Sequence, residues 1–186
     1  MTAQASVAPR VIENPVIGDR VTFLKTAAET NGEYLLERLE LAPHGAAGPM
    51  HYHLTFTETF EVLEGRLNVD LDGRRLVLGP GDRAVVPVKA PHRFYSTSDE
   101  PVTFTIECRP ARRMEQATRI AYGLARDGRT NAKAIPRNVW EMAVVFELGE
   151  SYLVGLPRLV QQALFGTLAR IARWLGVERA LEERYL

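Results

Sequence analysis

"GPMHYHLTFTETFEVLEG", residues 48–65, places two of the chain's four histidines one residue apart. In an extended strand, residues i and i+2 point to the same side. His51 and His53 therefore aim two imidazoles into one space, their Cα atoms roughly 6.5 Å apart. Glu58 follows a short connection and opens the alternating run "ETFEVLE", which reads as the next strand. From there it can return a carboxylate to the same place. A third imidazole, His92, heads the run "HRFYST" directly after Pro91. Three neutral nitrogens and one carboxylate suit a borderline divalent ion such as Fe, Mn, Ni, Co or Zn.

Working outward from this stretch, Val21 to Cys108 is a series of short runs rich in β-branched and aromatic residues. They include "RVTFLK", "EYLLERLEL", "RLNVDLDG", "RRLVLG", "RAVVPV" and "VTFTIEC". Asp72-Gly73 is a two-residue hairpin signal, and a Gly-Pro-Gly turn surrounds Pro80. Many short strands at this spacing predict an all-β sandwich or barrel. After Pro110 the apolar period lengthens to that of a helix, with Met114, Ala117, Ile120, Ala121 and Leu124 on one stripe and Gly128 as a stop. "PRNVWEMAVVFELGE" reads as a second helix with Pro136 in its first turn. In "LPRLVQQALFGTLARIARWLG", Leu156, Leu159, Val160, Ala163, Leu164, Leu168, Ile171 and Leu175 line one face. Arg158, Gln161, Gln162, Arg170 and Arg173 line the other. Gly176 ends it, and "VERALEERYL" adds a further turn or two. The expected division is an N-terminal arm (1–19), a barrel (20–110) and a helical extension (111–186) packed on the barrel or on a dimer partner.

The chain has 186 residues, 46% of them apolar and 25% charged, which suffices for a core that needs no staple. Its net charge of zero gives no footprint for nucleic acid. The single cysteine, Cys108, excludes an internal disulfide and fits a cytoplasmic home. "MTAQASVAPRVIENP" lacks the apolar core of a secretory leader, and no run of about 18 apolar residues predicts a membrane span. Residues 1–108 hold 10 Lys/Arg against 15 Asp/Glu, and residues 109–186 hold 13 against 8. A basic extension docked on an acidic barrel accounts for that asymmetry. The alternative is a face for anionic lipid or ligand, because 151–177 contains three arginines and no acid and 156–175 is amphipathic. The reading favours a helix packed on the barrel or at a dimer seam.

These residues carry a resemblance to the cupin superfamily. Gly45, His51, His53, Glu58 and Gly65 meet its first motif, G-x5-H-x-H-x3,4-E-x6-G, position by position. Gly81, Pro87 and His92 meet the second, G-x5-P-x-G-x2-H-x3-N, with Lys89 in place of its glycine and Ser96 in place of its asparagine. Those departures touch a loop and leave the ligand positions intact. The chain also resembles single-domain bacterial cupins with a helical C-terminal extension, a group without a shared reaction. The resemblance implies a mainly β fold, a cupin-type double-stranded β-helix (jelly-roll barrel) with a C-terminal α-helical extension. It implies one metal inside, held by His51, His53, Glu58 and His92, with positions left open for substrate; the mixed His/carboxylate donor set favours Fe(II).

By strand alternation, Phe60 and Val62 share the face of Glu58, and Phe94 and Ser96 share that of His92, giving a largely apolar pocket wall. A phenolic or polyketide-like molecule suits it. The expected function is a metal-dependent enzyme on a small organic substrate, with an Fe(II)-dependent oxygenase first and Glu58 as its catalytic residue. A non-redox isomerase, cyclase or decarboxylase and a non-catalytic ligand binder use the same site. His44 reads as a surface histidine, Cys108 as a buried small residue, and Glu61 and Glu64 as solvated.

Overall fold

The computed structural model describes residues 9–46 and 48–186. In chain order the strands are β1 (Val11–Asn14), β2 (Asp19–Lys25), β3 (Leu35–Leu41), β4 (His51–Tyr52), β5 (Thr57–Glu64), β6 (Leu67–Leu71), β7 (Arg74–Leu78), β8 (Arg83–Val86), β9 (His92–Tyr95) and β10 (Val102–Arg109). Four helices follow, α1 (Met114–Arg126), α2 (Val139–Leu148), α3 (Arg158–Trp174) and α4 (Val177–Tyr185), with a short strand, β11 (Tyr152–Leu153), between α2 and α3. One sheet runs β1-β2-β3-β10-β5-β8 and the other β11-β4-β9-β6-β7, with antiparallel pairing throughout.

Alternation drives the two sheets together. Along β10, Val102, Phe104, Ile106 and Cys108 turn inward, and along β3 Leu35, Glu37, Leu39 and Leu41 do the same. Each fully buried Leu or Phe contributes about 1.5–3 kcal/mol relative to exposure. Phe60, Phe94 and Phe104 meet edge-to-face at 5.2–6.2 Å between centroids and fill one part of the barrel interior. Asp72 and Gly73 both adopt positive φ (48° and 79°), the turn whose twist matches its flanking strands. Lys89, which replaces the motif glycine, takes the left-handed φ of 67° that glycine adopts freely. Its N–H donates to the carbonyl of His53 at 2.7 Å. The loop thus makes a glycine-type turn with a lysine in it.

Several expected boundaries shift. Residues 11–14 of the expected arm are β1, paired with β2, while residues 1–8 of that arm lie outside the described residues. Pro136 does not open α2. Asn138 caps it, its side-chain oxygen accepting from the N–H of Trp140 and Glu141, so the first turn starts where a cap satisfies it.

The helices build a second core from Ile120, Leu124, Val144, Leu148, Ala172, Leu181 and Tyr185. α1 docks on the barrel through Arg119, which is buried 3.9 Å above the ring of Phe23 and paired with Glu115. Glu115 in turn accepts from the N–H of Ala27. α3 packs mainly against α2 and α4, and it turns Gln161, Ala169 and Ala172 inward rather than the expected apolar stripe. Leu159 is 72% exposed, Leu164 52% and Trp174 84%. The rotation has a local cause. The Gln161 amide accepts from the N–H of Leu153 and donates to the carbonyls of Leu153 and Leu156, all at 2.8–2.9 Å. Phe165 stacks on Phe146. No helix among the described residues is long and apolar enough to cross a membrane.

Candidate metal centre

The two motifs meet because β4 and β9 are neighbours, with His51 directly opposite His92. His53 follows β4 immediately, and Glu58 reaches in from β5 in the facing sheet. One ligand atom from each of His51, His53, Glu58 and His92 lies within 4.8 Å of all the others. His53, Glu58 and His92 are buried, and His51 is half-buried at the rim.

Each imidazole is held from behind by a backbone carbonyl. Nδ1 of His51 faces the carbonyl of Pro49 at 2.9 Å, Nδ1 of His92 that of Ala90 at 3.0 Å, and Nδ1 of His53 that of Glu150 at 3.2 Å. A carbonyl can only accept, so each Nδ1 carries its proton and the Nε2 atoms are directed at the shared space. Nε2 of His53 is buried without a hydrogen-bond partner. Nε2 of His92 lies 2.8 Å from Oε2 of Glu58. An orphaned inward nitrogen, two further imidazoles and a carboxylate are a donor set that fits a divalent transition ion.

The electrostatics leave His51 ready to ligate and set a proton between His92 and Glu58 that an ion would displace. Burial lowers the His51 pKa to about 4, assisted by the neighbouring imidazoles, so it is neutral and ready to ligate at neutral pH. Burial alone would raise Glu58. The electrostatic attraction of His53, 3.6 Å away, and the hydrogen bond with His92 outweigh it and hold the carboxyl well below its ordinary range. Burial works against protonation of His92, but the hydrogen bond to Glu58 prevails and its pKa rises. Burial, with the nearby carboxylates, pushes the Cys108 thiol well up, so it stays protonated 3.7 Å from Oε1 of Glu58.

A cavity of about 250 Å³ opens at three of the four, His51, His53 and Glu58. Its barrel side is Val21, Leu39, Phe94 and Ile106, and its other side is Met114, Ala117, Ala121 and Val145 from α1 and α2. The extension thus walls the site, and β11 pairs with β4 so that Leu153 sits opposite His51. A second cavity of about 230 Å³ shares His51, Tyr122 and Val145 and continues past Phe146 and Leu153. A roomier hollow of about 430 Å³, lined by Glu13, Asp19, Arg20 and Glu40, touches none of the four residues.

Of the expected pocket wall, Phe94 lines the cavity. Phe60 lies behind it, its ring 6.3 Å from that of His92, and Val62 is buried in the barrel core. Ser96 falls beyond the end of β9, where its hydroxyl accepts from the N–H of Ser98. The aromatic cluster fills the interior that alternation assigned to ligand, and the space lies toward the helices instead. His44 is exposed and meets Asp99, and Glu61 and Glu64 are exposed. The motif spacing does not reach Glu37, Glu150 or Cys108. Glu37 is 4% exposed and lines the cavity. Its signal was its phase: in "LLERLEL" it shares the face of Leu35, Leu39 and Leu41.

Residues 37–106 match the family model of the cupin domain. A quercetin 2,3-dioxygenase of Bacillus subtilis (strain 168) is 35% identical over 78 residues, 41% of this chain and 23% of that protein. The polyketide synthase CurC of Streptomyces cyaneus is 37% identical over 60 residues, 32% of this chain and 39% of that one. The chain therefore spans well under two thirds of either curated relative. A Thermotoga maritima structure described as a predicted oxalate decarboxylase superposes with a TM-score of 0.49 at 18% identity, covering 59% of this chain and 99% of that one.

Proposed function

We propose, for a chain whose residues 37–106 match the cupin domain model, a metal-dependent enzyme acting on a small, largely apolar organic molecule, with Fe(II)-dependent oxygenation as its reaction. The observation that carries this reading is the convergence of three carbonyl-anchored imidazoles and Glu58 at the edge of an apolar cavity. His51, His53, Glu58 and His92 would hold the ion. Fe(II) is favoured, and Mn, Ni, Co and Zn accept the same donors. When bound, the ion supplies Lewis acidity and, as iron, access to dioxygen.

The chain's own residues do the rest. Met114, Ala117, Ala121 and Val145 exclude water from the reacting region. Oε2 of Glu58 points at the shared space and can take the proton of a substrate hydroxyl placed there. Cys108, neutral and buried, serves as a weak donor to Glu58 and not as a nucleophile. The match to a quercetin 2,3-dioxygenase supports the oxygenase reading, and a phenolic substrate suits the apolar walls. The match to a polyketide synthase supports the second reading, a non-redox cyclase, isomerase or decarboxylase that uses the same ion as a Lewis acid.

Anaerobic loading with Fe(II), followed by oxygen-uptake measurements over a panel of flavonols and polyketide-like phenols, tests the proposal. Uptake should require both iron and substrate, and Glu58→Gln should retain metal while losing about 10²-fold or more of the rate. Equal turnover under strict anaerobiosis, or with Zn(II), would replace oxygenation by the Lewis-acid reading. Tight binding without turnover of any kind would leave a ligand binder.

A further inference from the structure

We propose that Glu37 is a substrate-anchoring residue, so that the cavity selects an aromatic or polyketide-like molecule with two oxygen functions, one at the metal centre and one at Glu37. This rests on the reading of the cavity as a substrate site. The polar side chains around the cavity, apart from the metal-centre residues, divide sharply. The Tyr122 hydroxyl donates to Asp19, the Thr118 hydroxyl to the carbonyl of Met114, and the Ser151 hydroxyl to the carbonyl of Gly149. Oε1 of Glu37 has no partner, although the side chain is almost wholly buried. A buried polar atom left unpaired costs about 1–3 kcal/mol, and that cost is removed when a ligand pairs with it. Glu37 stands opposite Ile106 of β10, two residues along that strand from Cys108, whose partner is Glu58. Anchor and metal centre thus share one wall of one cavity, and an apolar frame between them meets Val21, Leu39 and Met114. Oε1 of Glu37 is an acceptor in either protonation state, which matches a substrate hydroxyl.

The test uses equilibrium binding of 2-naphthol and a set of dihydroxynaphthalenes to Zn(II)-loaded full-length protein. The wild type should bind at least one diol about tenfold or more tightly than 2-naphthol. Glu37→Leu should erase that preference while binding 2-naphthol and zinc as before, and Glu37→Gln, which keeps a hydrogen-bonding amide, should retain part of it. Melting curves establish that both variants fold. Equal diol preference in wild type and Glu37→Leu would overturn the anchor while leaving the substrate site intact. Absence of metal-dependent 2-naphthol binding to the wild type would overturn the phenolic site and the anchor together.

A separate observation carries a second proposal. We infer that α3 docks on an anionic lipid surface. Gln161 and Phe165 fix its rotation, and an apolar face of Leu159, Val160, Leu164, Ile171, Trp174 and Leu175 is left outward. Residues 151–177 hold Arg158, Arg170 and Arg173 and no acid. Arg173 pairs with Glu147 and Glu178, whereas Arg158 and Arg170 have no ion pair among the described residues. A two-fold pair of copies through this face would set α3 arginines against α3 arginines with no acid on either helix. An anionic bilayer supplies the missing charge, and an exposed Trp suits its interface.

Co-sedimentation of the full chain with phosphatidylcholine vesicles, with and without phosphatidylglycerol, tests this. Binding should rise about tenfold or more with the anionic lipid, fall in high salt, and be lost in Leu159→Glu/Leu164→Glu while the melting temperature holds. No binding to anionic vesicles would overturn it. So would a vesicle-free dimer that the double variant dissociates, which would assign the face to a second copy.

Discussion

Glu150 holds a left-handed backbone, φ 47°, that a glutamate adopts only under restraint. Its carboxylate is held at both oxygens, by the Thr55 hydroxyl at 2.5 Å and by Arg112 at 3.0 Å, and its carbonyl meets Nδ1 of His53. A residue of the extension thereby fixes the tautomer of a barrel ligand. Glu150→Ala removes both anchors, and metal affinity should fall about tenfold or more, with little change in melting temperature. Titration with Zn(II) against a competing chelator measures it, and an affinity within about twofold of wild type would mean that the β11–β4 pairing holds the carbonyl alone. At this scale the four candidate ligands were legible because strand alternation and motif spacing act over a few residues. Glu37 was present in the same alternation but is an acidic residue type, and that alone argues for the outward face. Glu150 was invisible, because its carbonyl acts on a residue 97 positions away.

α1 and α4 cross at a glycine. A Cβ built on Gly123 would come within 2.3 Å of the Tyr185 ring, so the absence of a side chain sets the spacing of the two helices. Tyr185 is also tied to Asp127 at 2.8 Å. Gly123→Leu should force the ring out and destabilise the fold by about 1–3 kcal/mol, read from urea melts. An unchanged midpoint would show that α4 is not held at this seam. The strands of the barrel were legible, since period two and turn residues are local signals. The first turn of α2 was not, because Asn138 competed with Pro136 and the side-chain cap prevailed. The orientation of α3 was not legible either. An apolar stripe predicts burial, yet the three hydrogen bonds of Gln161 set the rotation, and they depend on where β11 lies.

Across the whole molecule, the barrel and the helical core each bury their own apolar clusters, and the metal centre lies between them. The fold should therefore survive without the ion. Chelation should lower the melting temperature by mass action, at about 2–4 °C per kcal/mol of lost binding, without loss of the far-UV β signal at room temperature. Loss of that signal would make the metal structural. The association of barrel and extension was not legible from periodicity, which says where faces are and not what they meet. The cavity owes its helical wall to that association. His51, His53, Glu58 and His92 are proposed to hold a single ion. Elemental analysis of untagged protein after anaerobic Fe(II) loading and gel filtration tests it most directly. It should find about one equivalent of metal per chain in the wild type and none in His51→Ala/His53→Ala. Equal metal content in the two proteins, or an empty wild type, would contradict it.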